Sequence, residues 1–578
     1  MIQIQDKNVE NQVYFPKSTN IEGDLVLKLH SELTQKDYTF DVVNESKTSN
    51  YYKFNVNFKS VENGEYTYFI NDTDSGLIRI GNVDEAVSTS TYIDGIEVVQ
   101  YYPQYVKEID YSKEPLTFKI LSSGTINWTA SNTAITRTID YKLNDGKWAS
   151  ITSNTGETAP TINVVKGDKI QFKGNNAQYA TDTSNYNSFS GSTASFEVEG
   201  NIMSLIYGDD FKNKLTINDY AFLGLFTRCT NLVSAENLIL PATTLAGWCY
   251  DYMFDGCTSL ATAPELPATT LANHCYGFMF YGCTSLTTAP ALPATTLAEH
   301  CYATMFGGCT SLTTAPVLPA TTLAMSCYQQ MFYRCTSLTT APKLPVTDLV
   351  NSCYKQMFQG CASLTTVPEL PATTLAIYCY YGMFRDCTSL TTIPRNFLPV
   401  TTLADYCYYY MFQGCTSLTT APELPATILA DRCYSRMFYG CTSLTTVPSN
   451  LLPATTLAKN CYSNMFQGCT KLTTAPELPA TTLAQGCYFN MFSDCKSLTT
   501  APVLPATTLV SSCYAGMFNS CTKLNYIKCL ATDISASDCT FVWVTDVAET
   551  GTFVKKQGVT WAEGISGIPN GWAIENNI

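Results

Sequence analysis

The stretch Leu292–Pro316 reads LPATTLAEHCYATMFGGCTSLTTAP, and the chain repeats it, with small changes, eleven times. Its Cys-Tyr pair recurs from Cys249 to Cys513 at steps of 26 residues, apart from two steps of 28. Both long steps carry a two-residue insertion, one in Pro394–Pro399 and one in Pro448–Pro453. A fixed period of this size marks a stack of supersecondary units, none of which buries its apolar side alone.

Within one unit, Leu245, Ala246, Cys249, Tyr250, Met253, Phe254 and Cys257 place apolar pairs every four residues. That spacing predicts a short amphipathic helix, capped by Thr244 and closed near Gly256. The segment Ser259–Pro264 reads as a strand ended by proline. The expected fold is therefore an α/β solenoid, with one strand and one short helix per 26-residue coil.

The Leu-Pro, Phe-x-x-Cys and Cys-x-x-Leu elements at these offsets resemble the BspA-like leucine-rich repeats of gut bacteria and their phages. The longer Cys-Tyr-x-x-Met-Phe form resembles the variant in Bacteroidales and crAss-like phage proteins. The resemblance covers roughly residues 200 to 545 and implies a leucine-rich-repeat solenoid used for surface recognition. It specifies a fold far more closely than a ligand.

Outside the repeats the chain predicts two all-β, sandwich-like domains. Residues 1–105 alternate at Leu25–Leu29, Tyr38–Val42, Tyr52–Val56 and Tyr66–Ile70, with Gly64, Asn71-Asp72 and Gly76 as punctuation. The pattern over residues 64–81 resembles N-terminal attachment domains of Bacteroidales phage structural proteins. After a linker at Tyr102-Pro103-Gln104, residues 106–200 read as an immunoglobulin-like spacer. Its turns are Asn144-Asp145-Gly146 and Lys166–Lys169, and Trp148 is expected to pack on Trp128. Residues 201–240 are the expected N-terminal cap, 241–528 the repeats and 529–578 the C-terminal cap. Leu225-Phe226 stands where Met-Phe would be.

Composition limits the function. Net charge is −14 with only 14% charged residues, which argues against a nucleic-acid partner, since phosphate binding needs clustered Lys and Arg. No run is long enough to span a bilayer and Met1–Lys17 has no signal-peptide pattern, so no membrane insertion is expected. All 25 cysteines fall between Cys229 and Cys539. Without Cys-x-x-Cys, and with three histidines, they read as small core residues of a chain folded in a reducing compartment, with an oxidised ladder between neighbouring coils as the alternative, and not as a metal centre. His274 and His300 share one slot in adjacent coils and read as surface filler. Threonine without a base is inert and phosphate loops are absent, so no enzyme and no cofactor are expected.

What varies inside the constant frame is the candidate site. Tyr378, Tyr381, Tyr406, Tyr409 and Tyr410 fall on adjacent coils and are expected to form one exposed tyrosine patch. Trp248, Tyr252 and Phe278 are expected to form a second. Clustered aromatics suit stacking on sugar rings or docking a protein. The resulting expectation is a phage fibre or adhesion protein. Residues 1–105 would hold other virion proteins, the solenoid would bind a host-surface glycan or protein, and the chain would assemble as a dimer or trimer. The alternatives are a bacterial surface adhesin and a purely structural virion decoration protein.

Overall fold

A computed structural model of the chain describes residues 114–577 except 132 and 156–158, together with the β-strands and two further positions, 36 and 61, of the first 101 residues. It divides into two compact units, Met1–Ile109 and Asp110–Ile578.

Among the described residues the first unit contains nine strands: β1 (Ile2–Ile4), β2 (Glu10–Pro16), β3 (Asp24–His30), β4 (Asp37–Val43), β5 (Tyr51–Asn57), β6 (Gly64–Ile70), β7 (Asp74–Ile80), β8 (Ser88–Ile93) and β9 (Ile96–Tyr101). Five of them form a sheet in the order β1-β7-β6-β3-β4, and β2–β5 and β8–β9 pair separately. Alternation in β3 buries Leu27 and Leu29 and exposes Lys28, as a half-buried strand requires. Gly76 is not a turn: it lies inside β7, opposite Tyr68. The expected turn at Asn71-Asp72 and the linker at residues 102–104 lie outside the described residues.

The second unit opens with β10 (Thr117–Ile120), β11 (Gly124–Asn127), β12 (Thr129–Ala130), β13 (Thr138–Leu143), β14 (Ala149–Thr152), β15 (Thr161–Val164), β16 (Lys169–Lys173), β17 (Ala180–Asp182), β18 (Asn185–Ser188) and β19 (Phe196–Asn201). Asn144 turns the β13–β14 hairpin with φ of 50°. Phe118 and Phe172 from one sheet pack on Phe189, which also meets Trp128 at 4.8 Å, and Phe196 stacks on Phe118. Trp148 does not pack on Trp128 as expected. It is exposed, with the Lys173 ammonium 4.3 Å above its ring, whereas Trp128 is buried and donates its indole N–H to Arg137 O.

The expected boundary at residue 200 falls inside a sheet. Strand β19 pairs in parallel with β20 (Leu232–Ile239), which belongs to the first repeat. Tyr179 and Phe189 continue the contact, donating backbone N–H groups to Ala221 O and Leu225 O. This β-module is therefore the cover of the stack's first coil, with the single helical turn α1 (Ser204–Tyr207) beside it.

The coils contain no helix, which corrects the expected strand-plus-helix unit. From Tyr250 to Cys257 the amides alternate between two partners. Asp251, Met253, Asp255 and Cys257 donate to the carbonyl three residues back, closing successive turns. Trp248, Tyr250, Tyr252, Phe254 and Gly256 donate instead to carbonyls of the next coil, at 2.7–3.1 Å. Every fourth residue is left-handed: Trp248 at 54°, Tyr252 at 55° and Gly256 at 68°. The same slots repeat in later coils, as at Tyr406, Tyr410 and Gly414. Expected strands shrink to isolated parallel bridges such as Thr288↔Thr314 and Thr314↔Thr340, because flanking prolines remove ladder donors.

Identical positions meet from coil to coil. The tyrosine of each Cys-Tyr pair stacks on its successor with centroids 5.7–6.0 Å apart, from Tyr250 to Tyr514. The phenylalanine of each Met-Phe pair forms a second column, at 5.3–5.9 Å, from Phe226 to Phe518. Tyr179 and Phe189 continue the two columns at the start, through Phe222 and Phe226. Trp543 ends both, 6.2 Å from Tyr514 and from Phe518. Trp561 and Phe553 cover Trp543. Strands β21 (Tyr526–Cys529), β22 (Thr552–Lys556) and β23 (Ala573–Asn577) close this end as a parallel sheet.

All 25 cysteines are buried and free. The second thiol of most coils donates to the carbonyl of the preceding coil's phenylalanine, as Cys283 Sγ does to Phe254 O at 3.1 Å. Burial pushes the thiol of Cys335 up to about 12, so these sulfurs stay protonated and inert.

Candidate functional site

The tyrosines singled out above occupy slots counted from the first cysteine of each coil. Tyr378 and Tyr406 stand one residue before it, Tyr381 and Tyr409 two after, and Tyr410 three after. The slots come together because the backbone turns every four residues, with the residue before the cysteine and the third after it left-handed. All five tyrosines are half-buried and mutually packed. Tyr378 lies 4.7 Å from Tyr406, Tyr381 lies 5.3 Å from Tyr409, and Tyr409 meets Tyr410 edge-on at 4.0 Å. One cluster therefore spans two consecutive coils.

Cations from the same and flanking coils surround it. Lys355 Nζ lies 5.6 Å from the Tyr378 ring and 5.3 Å from Tyr381. The guanidinium of Arg432 lies over Tyr406, and its Nη1 donates to that hydroxyl. Arg436 does the same to Tyr410, with Nη1 2.6 Å from the phenol oxygen, and Arg385 lies 5.4 Å from the Tyr410 ring. Arg385 is 3.3 Å from Asp386, whereas Lys355, Arg432 and Arg436 have no ion-pair partner among the described residues. Burial raises the phenols of Tyr381 and Tyr409, so the cluster is a neutral ring surface edged by positive charge. The sequence reading missed these cations. Arg432 and Arg436 stand in the slots of Tyr406 and Tyr410 one coil on, and that row-wise proximity was the available signal.

The second expected cluster resolves into two columns. Trp248 belongs to a four-ring stack with Tyr220, His274 and His300, at 5.3, 5.0 and 4.5 Å. Tyr252 stacks on Phe278 at 4.6 Å. The imidazoles of His274 and His300 lie face to face within 4°, so their nitrogens do not converge on one point between them. Desolvation and the neighbouring imidazole lower the His274 pKa. Among the described residues no three His, Cys, Asp or Glu side chains gather as a metal site. Beneath these columns Asp251 is buried, one carboxyl oxygen has no hydrogen-bond partner, and desolvation raises its pKa to about 8.

A parallel stack of 26-residue coils with leucine, alanine and aromatic rows in its core defines a leucine-rich-repeat protein. The chain belongs to the BspA type leucine rich repeat region (6 copies) family, whose profile matches residues 192–339, 302–445 and 407–545, together more than half of the chain. That family is typically surface- or adhesion-related and a non-enzymatic binding scaffold. No curated protein matches the chain. A solved structure described as the crystal structure of a TLR13-ssRNA13 complex is similar at 11% identity, over 61% of this chain and 48% of that one, with a TM-score of 0.22. The chain thus spans about half the length of that structure, and at this score the likeness carries no argument. Among the described residues no helix is long and apolar enough to cross a membrane.

Proposed function

We propose that the chain is a non-enzymatic recognition protein whose solenoid binds a surface glycan or protein of a bacterial cell. The observation that carries this reading is the cluster of Tyr378, Tyr381, Tyr406, Tyr409 and Tyr410. Rings pre-packed by their neighbours lose little freedom on binding, and their faces and hydroxyls suit saccharides. The proposed setting is a phage particle infecting gut Bacteroidales, as a head or tail fibre component held by residues 1–105 and assembled as a dimer or trimer. Free buried thiols support it, because they suit folding in a reducing host cytosol before release. The second reading, a bacterial surface adhesin, is favoured by the family's usual association with cell surfaces.

The test is binding of the labelled full chain to intact Bacteroidales cells, compared with the Tyr409→Ser/Tyr410→Gln variant. Ser435 and Gln356 already occupy these slots in other coils, so the variant keeps the fold. Loss of cell binding supports recognition by this cluster. Unchanged binding rejects it. Particles that lose the variant while cell binding by the free chain persists point to a decoration role instead.

A further inference from the structure

We infer that the tyrosine cluster selects an anionic saccharide: a sugar that stacks on the rings while its carboxylate or sulfate is taken by Arg432 and Arg436. This rests on the proposed recognition role and names its ligand class.

Charge is the first argument. The chain carries a net charge of −14 and 34 basic residues in 578, yet four cations gather on one cluster of five tyrosines. Three of them lack a carboxylate partner among the described residues, although acids are the commoner charged type in this chain. Arg432 and Arg436, without an ion-pair partner among the described residues, keep their charge available beside an aromatic platform.

Geometry is the second. Each arginine commits one nitrogen to a tyrosine hydroxyl, Arg432 to Tyr406 and Arg436 to Tyr410. That anchor fixes the guanidinium against the ring, and its remaining N–H groups stay open for a carboxylate or sulfate. The two arginines stand four residues apart on one coil in left-handed slots, at 54° and 57°, so they project from the same rows as the tyrosines they flank.

Acids at the margin argue for a sugar with local charge over a long polyanion. Asp405 sits next to Tyr406 in sequence and accepts the amide of Asp431, the neighbour of Arg432, at 3.0 Å. A nucleic-acid strand crossing the cluster would meet these carboxylates. A single acidic sugar would not.

The test uses calorimetry on the full chain with four probes: trigalacturonic acid, a heparin-derived sulfated tetrasaccharide, neutral galactotriose and an oligo-dT strand. One acidic probe is expected to bind about tenfold or more tighter than the neutral one, as a charge-assisted contact implies. Which one binds separates carboxylate from sulfate. The Arg432→Asn/Arg436→Asn variant is expected to lose that preference and keep any neutral binding. Asn460 and Asn464 occupy the same slots in the next coil, at 53° and 58°, so an unchanged melting temperature verifies the fold. Equal binding of acidic and neutral probes, no acidic binding at millimolar concentration, or tighter binding of an oligo-dT strand overturns the inference. These outcomes leave the recognition role standing if Tyr409→Ser/Tyr410→Gln still abolishes cell binding. If that variant binds cells normally, the role itself fails.

Discussion

At the scale of single residues, the core keeps polar groups that other side chains could replace. The hydroxyls of Tyr302 and Tyr328 are buried without a hydrogen-bond partner, and an unsatisfied buried hydroxyl costs about 1–3 kcal/mol. Tyr302→Phe is therefore expected to raise stability by about 1 kcal/mol in chemical denaturation; a lower midpoint would show a hidden partner. Asp251 gives a pH signature. Its pKa rises from 3.8 to about 8 on folding, so the folded state holds a proton that the unfolded state releases. Its effect is absent below pH 4 and grows as destabilisation from there toward pH 8. Asp251→Asn is expected to flatten the fall of melting temperature over that window, and parallel profiles for the two proteins would sink the assignment. The tyrosines of the candidate site were legible because they break a constant frame. Their cations were not, because a lone arginine in one coil looks like drift until neighbouring coils are laid side by side.

At the scale of the element, the repeat was legible and its backbone was not. Apolar pairs every four residues fit a helix of 3.6 residues per turn, and they fit equally a chain of turns with a strict period of four. The discriminating signal was the slot of Gly256, Gly282 and Gly308. A helix stop need not recur in phase with two other permissive slots, and here all three are left-handed. Non-glycine residues pay about 1–2 kcal/mol for that conformation, offset by the amides they direct into the next coil. Val542 is the harshest case, β-branched with φ of 45°. Val542→Asn is expected to gain about 1 kcal/mol by relieving that strain, read as a higher melting temperature. A loss would mean that valine packing outweighs the backbone.

At the scale of the molecule, the period located the stack and its first coil, while the 200/201 boundary was misplaced. Sequence alternation reports which residues face a core, not whether two cores are continuous, and Tyr179 and Phe189 join them. Burial of all 25 thiols predicts that a thiol reagent at pH 8 labels essentially none in the native chain and all 25 after denaturation without reductant. Rapid native labelling, or thiols missing after denaturation, would contradict the closed, reduced core. The alternating amides also set how the molecule responds to load. Each coil holds its neighbour through a short row of bonds directed along the stack, so tension at the C-terminal end concentrates on one seam at a time. A coil that lets go releases 26 residues, about 90 Å of slack when extended, and passes the force to the next seam. A stack of this build would shed tension in equal instalments, lengthening one coil at a time.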